Sequence, residues 1–420
     1  LKENEMAKQI FEGLKVADFS WAAAGPQVSR ELAEHGATVV VVENHRHLSP
    51  LRTFAPFKDA KPGIDRSAFY AEYNTNKLCL ALDITKPKGK ETALKLVKWA
   101  DIVAESFSPG TMAELGLDYE SCRKVNPAVI YLSTSQQGQY GPHHLFKGVG
   151  HHVNAVSGYS ATTGWPDSDP TMVFSAYADF IAPWYSLIAI MGALLKRRKT
   201  GKGMYIDQAQ MECGVTFLAP HLLNCAVNGR NLGRRGNRDF YMCPHGVYPC
   251  RGGDRWVAIT VQNEEQWQWF CDVIGNPEWT RDSKFATILA RKQNEDELDK
   301  LIGEWTRAFT PEQVMTMMQE GGVPAGVVQT CEDLLSDPQM KHRKHHRVLK
   351  HPTIGEHSYH APAYVLSETP CEIKRAAPTL GQDNDHVYKE ILGLTDDDIA
   401  DMLAEGVITT EYDAPFKSTW

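Results

Sequence analysis

The sequence predicts an α/β protein whose larger domain is built on a doubly wound, mostly parallel, Rossmann-like sheet, with a smaller α+β domain inserted into the chain. Three observations lead there. The chain has 420 residues, beyond the ~250–300 at which one hydrophobic core usually stops growing. Its N-terminal third alternates short apolar runs with amphipathic stretches, the pattern of strands joined by crossover helices. A Gly- and Arg-rich stretch, "NGRNLGRRGNRD" (228–239), then reads as a linker, and hairpin-like sequence follows it. The expected divisions are 1–228 for the first part of the large domain, 229–325 for the small domain, and 326–420 for a return to the large one.

The elements follow in order. "GLKVADFS" is a β-type run ending at the small-residue turn "WAAAGP". "QVSRELAEHGA" puts Val28, Leu32 and Ala33 at helical spacing and stops at Gly36, a residue type that ends helices. "TVVVVEN" is the continuous β-branched run of a strand buried on both faces. "LCLALDI" (78–84), "DIVAES" (101–106) and "AVIYLSTS" (128–135) read as further strands, with "GKETALKLVKWA" (89–100) an amphipathic helix between the first two. Ligands of such sheets sit at the carboxyl ends of the strands, which here carry "SWAAAGP", "ENH", "ESFSPG" and "STSQQGQYGP". No GxGxxG follows the first strand, so a nicotinamide or flavin fingerprint is missing. After Lys199, "TGKG" reads as a tight turn and "MYIDQAQMECGVTFLAPHLL" as mostly helix. "HGVYPCRGGDRWVAITV" reads as a hairpin turned at Gly252–Gly253–Asp254, with helices to about 322, and the chain closes on helical "DHVYKEILG" and the acidic "LTDDDIADMLAEG".

Composition narrows the function. The net charge is −8 with no basic stripe, which argues against a nucleic-acid surface. Nine scattered cysteines in a chain with ample core argue against a disulfide framework and for a reducing cytoplasm. The first ten residues, LKENEMAKQI, lack the apolar stretch of a signal peptide. The run "FIAPWYSLIAIMGALL" (180–195) has 16 residues, contains Pro183 and stops at "KRRK"; it falls short of the ~20 needed to span a bilayer. A core helix is expected, and no membrane partner.

Just before that helix, "SAYADFIAPW" sets Asp179 in an otherwise apolar run. Two readings stand. The carboxylate can cap the helix start, where unpaired N–H groups and the helix dipole favour it. Alternatively, Tyr177, Phe180 and Trp184 leave it poorly solvated, and a desolvated carboxylate is a competent nucleophile toward an activated acyl group. Other clusters are read more plainly. Cys243, His245 and Cys250 in "CPHGVYPC" match no common zinc spacing, so a hairpin with buried thiols is expected and no metal. "KHRKHHR" (341–347) reads as a solvated basic helix turn. His151 and His152 are candidates for acid–base work. "TGKG" is not a phosphate loop, since GxxxxGK[ST] is absent, and no G-x-S-x-G elbow supports a serine triad.

Taken together, these segments resemble the class III CoA-transferases, a family that includes formyl-CoA and carnitine CoA-transferases and the related α-methylacyl-CoA racemases. The resemblance starts at "GLKVADFSWAAAGPQVSRELAEHGATVVVVE" and continues through "NTNKLCLALDITKPKGKETALKLVKWADIVAESFSPG" and "LGLDYESCRKVNPAVIYLSTSQQGQYGP". It then runs through "ADFIAPWYSLIAIMGALLKRRKTGKGMYIDQAQME" and "GVPAGVV" to "APTLGQDNDHVYKEILGLTDDDIADMLAEGVI", nearly the whole chain. It implies CoA transfer from an acyl-CoA, such as succinyl-CoA, to a carboxylic acid, with no tightly bound cofactor and no metal. It implies Asp179 as nucleophile, and suggests the backbone N–H groups of Gln136, Gln137 and Gly138, with Tyr140 beside them, at the reacting carbonyl.

For CoA the resemblance implies the turn Ala22, Ala23 and Ala24, the position Asn44, the strand end Leu82, Asp83, Ile84 and Thr85, then Ser106, Phe107 and Lys147. Relatives often carry a basic residue where Asn44 stands and an arginine where Glu114 stands; the long glycine loop of formyl-CoA transferase has no counterpart. Tyr140, Trp165 and Trp184 suggest a bulky or aromatic acid. The family further implies an interlocked dimer, a homodimer or a heterodimer with a homologous chain. The racemase branch pairs the aspartate with a histidine whose equivalent falls at or near Val149, which favours transferase. A third reading is a non-catalytic partner subunit.

Overall fold

The computed structural model describes residues 9–408. Six parallel strands, β1 (Lys15–Asp18), β2 (Thr38–Glu43), β3 (Leu78–Ala81), β4 (Ile102–Glu105), β5 (Ile130–Ser135) and β6 (Met204–Ala209), form one sheet in the order β3-β2-β1-β4-β5-β6. The register pairs Ala17 with Val40, Val41 with Cys79, Val103 with Tyr131 and Leu132 with Ile206. Successive residues of a strand point to opposite faces, and here both faces are apolar. Val40, Val42, Leu80, Val103 and Tyr131 pack under helix α3 (Pro87–Trp99) through Ala93, Leu96 and Val97. On the other face Val16, Val39, Ile102, Ala104 and Leu132 meet Val28 and Leu32 of α1 (Ala24–Glu34) and the long helix that follows residue 176. Burying one such side chain is worth about 1.5–3 kcal/mol, so the two layers hold the sheet from both sides.

Between these elements lie α2 (Ala68–Glu72), α4 (Thr111–Leu115), α5 (Tyr119–Val125), α6 (Gly150–Val156) and the single turn α7 (Tyr159–Thr162). Helix α8 (Tyr177–Thr200) then runs for 24 residues, about 36 Å, and ends at Gly201 with φ +70°. Leu187, Ile190 and Ala193 of α8 join the sheet's core. Near the end of α8, Arg197 donates to Asp101 at 2.9 and 3.1 Å, immediately before β4. The helix therefore finishes at the amino edge of the sheet, and its first turn lies toward the carboxyl edge. Helices α9 (Gln210–Phe217) and α10 (Ala219–Asn228) follow β6. The edge strand β3 is closed by the returning C-terminal part. Asp383 and Asn384 accept from the Cys79 and Ala81 amides at 2.9 and 2.8 Å, and the Tyr388 hydroxyl donates to the Ala81 carbonyl at 2.8 Å.

Strand β6 corrects the expectation of helix from Met204 onward. "MYIDQA" pairs along the whole of β5, and Gly203 lets it approach: a Cβ there would lie 1.8 Å from the Val129 carbonyl oxygen. The basic run 341–347 is also not one helical turn. A short helix ends at His342, and His346 and Arg347 open strand β10 (His346–His351), which pairs antiparallel with β11 (Gly355–His360).

The chain divides into two compact units, one of residues up to Tyr159, Met172–Arg230 and those from Lys341 onward, the other of Ser160–Thr171 and Asn231–Met340. In the second, β7 (His245–Pro249), β8 (Trp256–Thr260) and β9 (Ala325–Val327) form an antiparallel sheet against helices α11 (Glu264–Val273), α12 (Ile288–Gln293), α13 (Glu295–Thr306) and α14 (Pro311–Glu320). Its core holds Trp267, Phe270, Leu298, Ile302, Val314 and Met318, with Cys243 and Cys250 buried among them. The guanidinium of the fully buried Arg291 donates to the Cys243 carbonyl and to Glu264, and lies over the Trp267 ring.

Candidate active site

Asp179 sits in the first turn of α8 but does not cap it. The N-cap is Ala176, which has no side-chain acceptor. The acceptor comes instead from Asn154 on α6, a fully buried residue: its Oδ1 receives the Ala178 N–H at 2.9 Å, and its Nδ2 donates to the Ser175 carbonyl at 2.9 Å. Ser175 itself is held in the left-handed region, φ +60°, where a non-glycine residue is uncommon. The capping reading of Asp179 therefore fails.

What Asp179 does instead follows from its neighbours. Gly150 lies directly against it, for a Cβ on Gly150 would sit 2.3 Å from Asp179 Oδ2 and 2.2 Å from Ala176 Cβ. Only glycine leaves that space. Among the described residues the carboxyl makes no hydrogen bond or ion pair, and burial alone pushes its pKa up to about 7. The residue as a whole is partly exposed, so the group is poorly solvated yet reachable. Tyr73, which ends α2, is nearly buried, and its ring lies 6.3 Å from that of Phe180. Its phenol is held above the ordinary range by burial first, then by the charges of Glu72 and Asp179.

The loop after β5 reaches the same neighbourhood. Gln136 receives the Met211 amide on its carbonyl, and its side-chain oxygen lies against Gly148, two residues before Gly150. Gly138 turns with φ +85°, and the next amide, of Gln139, is held by the Asp207 carboxylate at 3.1 Å. Gln137 lies between them, partly exposed. Tyr140 is 80 % exposed, and Lys147 and both His151 and His152 are exposed too. The His152 ring accepts the Val149 amide at 3.2 Å.

A cavity of about 350 Å³ opens at the carboxyl ends of β1, β2, β3 and β4, where the strand order reverses around β1. Of the residues expected there, Asn44, Leu82, Ile84, Thr85 and Phe107 line it, and so does Glu114. The ring of Phe107 meets that of Trp21 edge-on at 4.8 Å. Others turn elsewhere. Asp83 is buried and accepts the Thr85 amide at 3.0 Å. The Ser106 hydroxyl is spent on Trp21, accepting its N–H and donating to its carbonyl, both at 2.7 Å. That clamp holds the turn whose next residue, Ala22, has φ +62°; Ala23 and Ala24 are buried at the start of α1. Asn44 lines the wall, but its Oδ1 already receives the Arg46 and His47 amides at 2.8 and 2.9 Å.

Sequence reasoning missed Asn154, Gly150 and Tyr73 near Asp179, and Phe19, Trp21, His47 and Thr111 in the cavity. The aromatic pair Trp21 and Phe107, each just past a strand end, was the signal available. Trp184 is 37 % exposed on α8, and Trp165 belongs to the second unit.

Chemically, a desolvated carboxylate can attack an activated carbonyl or remove a proton. The chain is also similar to known proteins of one family. A family described as CoA-transferase family III matches residues 11–384. The succinyl-CoA–D-citramalate CoA-transferase of Chloroflexus aurantiacus is 31% identical, over 94% of this chain and 98% of that protein. The succinate–glutarate CoA-transferase of Agrobacterium fabrum is also 31% identical, over 91% and 96%. The crystal structure of a CaiB/BaiF family protein from Brucella suis superposes with a TM-score of 0.84 at 29% identity, covering 91% of this chain and all of that one.

Proposed function

This chain belongs to CoA-transferase family III, and from that premise we propose that Asp179 is the nucleophile in its transfer of CoA from an acyl-CoA to a carboxylic acid. The observation that carries the reading is the Asp179 carboxylate itself, poorly solvated and, among the described residues, without a hydrogen-bond partner at the head of α8. An Oδ of the ionised carboxylate attacks the thioester carbon. The C–S bond breaks, CoA leaves as thiolate, and a mixed anhydride remains on Asp179. The thiolate then attacks the aspartyl carbonyl, releasing the donor acid as its carboxylate and leaving an aspartyl-CoA thioester. The acceptor carboxylate opens that thioester to a second anhydride, and the thiolate attacks its acyl carbon to give the new acyl-CoA and free Asp179. No net proton moves, so the aspartate need only be ionised and shielded from water. Backbone N–H groups of Gln136–Gly138 are the proposed donors to the tetrahedral oxyanion.

The adenosine end of CoA is assigned to the cavity at the strand-order reversal, where Trp21, Leu82, Ile84 and Phe107 offer apolar surface to a flat base. This is where open α/β sheets bind ligands. The relatives' names support succinyl-CoA as donor and a short aliphatic acid as acceptor. We prefer that acceptor to a bulky or aromatic one because Tyr140, the proposed selector, stands 80 % exposed. The active form is proposed to be an interlocked dimer, of identical or homologous chains. Helix α8 buries one side, but Ile188 and Leu195 on it are each 63 % exposed, and Leu223 and Val227 on α10 are 62 and 77 % exposed. An apolar surface of this extent calls for a covering chain. Nine free thiols suit a reducing compartment such as the cytoplasm.

The test is a pair of assays on one preparation. Wild type should move CoA between acids and should not wash solvent deuterium into the α-carbon of an acyl-CoA when no acceptor is present. Asp179→Asn should lose turnover by about 10³-fold or more. Deuterium wash-in without acceptor would establish the racemase reading instead, and unchanged turnover in Asp179→Asn would remove Asp179 as the nucleophile. A chain that turns over only with a homologous chain added, whether or not it carries Asp179→Asn, would be a non-catalytic partner.

A further inference from the structure

We propose that Asn154 is the positioning residue of this site: it caps the helix that carries Asp179, and thereby leaves the aspartate's own carboxylate unbonded. The inference rests on the reading of Asp179 as nucleophile. Its ground is geometric. Asp179 occupies the third position of α8 after the N-cap Ala176, where a carboxylate ordinarily turns back onto the open amides of the first turn. Here it does not. Asn154, 24 residues earlier in the chain, takes the Ala178 amide at 2.9 Å and holds the Ser175 carbonyl at 2.9 Å. Both hydrogen-bonding ends of one side chain thus bracket the residues just before Asp179, and Ser175 is kept at φ +60° between them.

The same helix supplies the second half of the arrangement. Gly150 and Asn154 are four residues apart on α6, and so share one face. Gly150 makes room for the Asp179 carboxyl and Asn154 removes its reason to fold back. A carboxylate engaged by several amides is a stabilised anion and a weaker nucleophile; one without them keeps its charge concentrated. Titratable groups on the elements packed against α8 are Arg30, Glu31 and Glu34 on α1, Tyr131 on β5, His151 and His152 on α6, Tyr205 and Asp207 on β6, and Glu212 and Cys213 on α9, with Glu72 and Tyr73 at the end of α2 beside Phe180. Asp179 is itself one of the charges that hold the Tyr73 phenol up.

Two variants of the full chain test this, each read by kcat, by KM for the acyl-CoA and by titration of Asp179. The last uses carbon-13 carboxyl-labelled aspartate, with Asp179→Asn identifying the signal. In Asn154→Ala the Asp179 carboxylate should fall back onto the freed Ala178 amide. Its titration, and with it the acid limb of kcat/KM, should then move down by about one pH unit or more. We expect kcat to fall about tenfold or more while KM changes less than about twofold. Asn154→Asp keeps an acceptor for the Ala178 amide but sets a second carboxylate beside the first. It should retain more of kcat than Asn154→Ala and move the limb upward, and it serves also if Asn154→Ala does not fold. An unmoved Asp179 titration in both variants overturns the inference, even if kcat falls, because loss of packing alone would do that. Failure of the underlying reading looks different: Asp179→Asn would keep its turnover while the titration still shifted in Asn154→Ala.

Discussion

A carboxyl held at a pKa of about 7 against an ordinary 3.8 is a cost carried by the fold. Between about pH 4 and 7 the folded chain keeps a proton that the unfolded chain has released, so stability falls as pH rises through that window. The part due to Asp179 is on the order of 1–3 kcal/mol above pH 7. Asp179→Asn removes the ionisation, and we expect its thermal midpoint at pH 8 to exceed that of the parent by about 1–3 °C. The difference should vanish near pH 4. Glu31 and Glu105, also buried and also pushed up to about 7, titrate in the same window, which is why the comparison needs the variant and not the wild-type curve alone. An Asn variant no more stable than the parent at pH 8 would mean that the carboxyl is not desolvated. The activity has the opposite sign: kcat/KM should rise as pH passes through about 7. Asp179 was legible in the sequence as a lone charge in an apolar run. Whether it capped or reacted was not, because the deciding residue, Asn154, sits on another helix in the unremarkable stretch "HHVNAV".

At the scale of elements the site is the meeting of two helix starts, α6 and α8, over the carboxyl edge of a sheet. That meeting tolerates no added atom. In Gly150→Ala the new methyl would need the space of Ala176 Cβ and Asp179 Oδ2, both fixed to the first turn of α8, so the turn itself must shift. Displacing a reacting group by about 1 Å can cost 10²-fold in rate, and we expect a kcat loss of that order with the circular dichroism spectrum unchanged. Full activity in Gly150→Ala would show that the two helices are not in close contact. Elements buried on both faces were readable as such, β2 above all, with its unbroken run of valines. Strand β6 was not. It is the last strand of the sheet, its residues are mostly half-exposed, and "MYIDQA" runs straight into the helical α9, so one continuous helix was the simpler pattern. Close approach at Gly203, not apolar periodicity, is what makes it a strand.

Over the whole molecule, the order of six parallel strands sets one reversal point, and the cavity lies there because loops leaving β1 and β4 diverge. The turns at the strand ends were visible in the sequence as clusters of Gly, Ser, Pro and Ala. Which side chains line the space was only half visible: Leu82, Ile84 and Phe107 face it, while Asp83 and Ser106 between them are turned back to hold their own loops. Near Asp179 the pieces come from separate parts of the chain, Tyr73 from the end of α2 and Gly150 and Asn154 from α6, and no local pattern announces them. The nucleophilic role of Asp179 is tested most directly by mass spectrometry of the enzyme after incubation with succinyl-CoA and hydroxylamine. An aspartyl anhydride or thioester would be captured as a hydroxamate on Asp179, absent without succinyl-CoA and absent in Asp179→Asn. Active enzyme that yields an unmodified Asp179 peptide, or a hydroxamate on another residue, would contradict it.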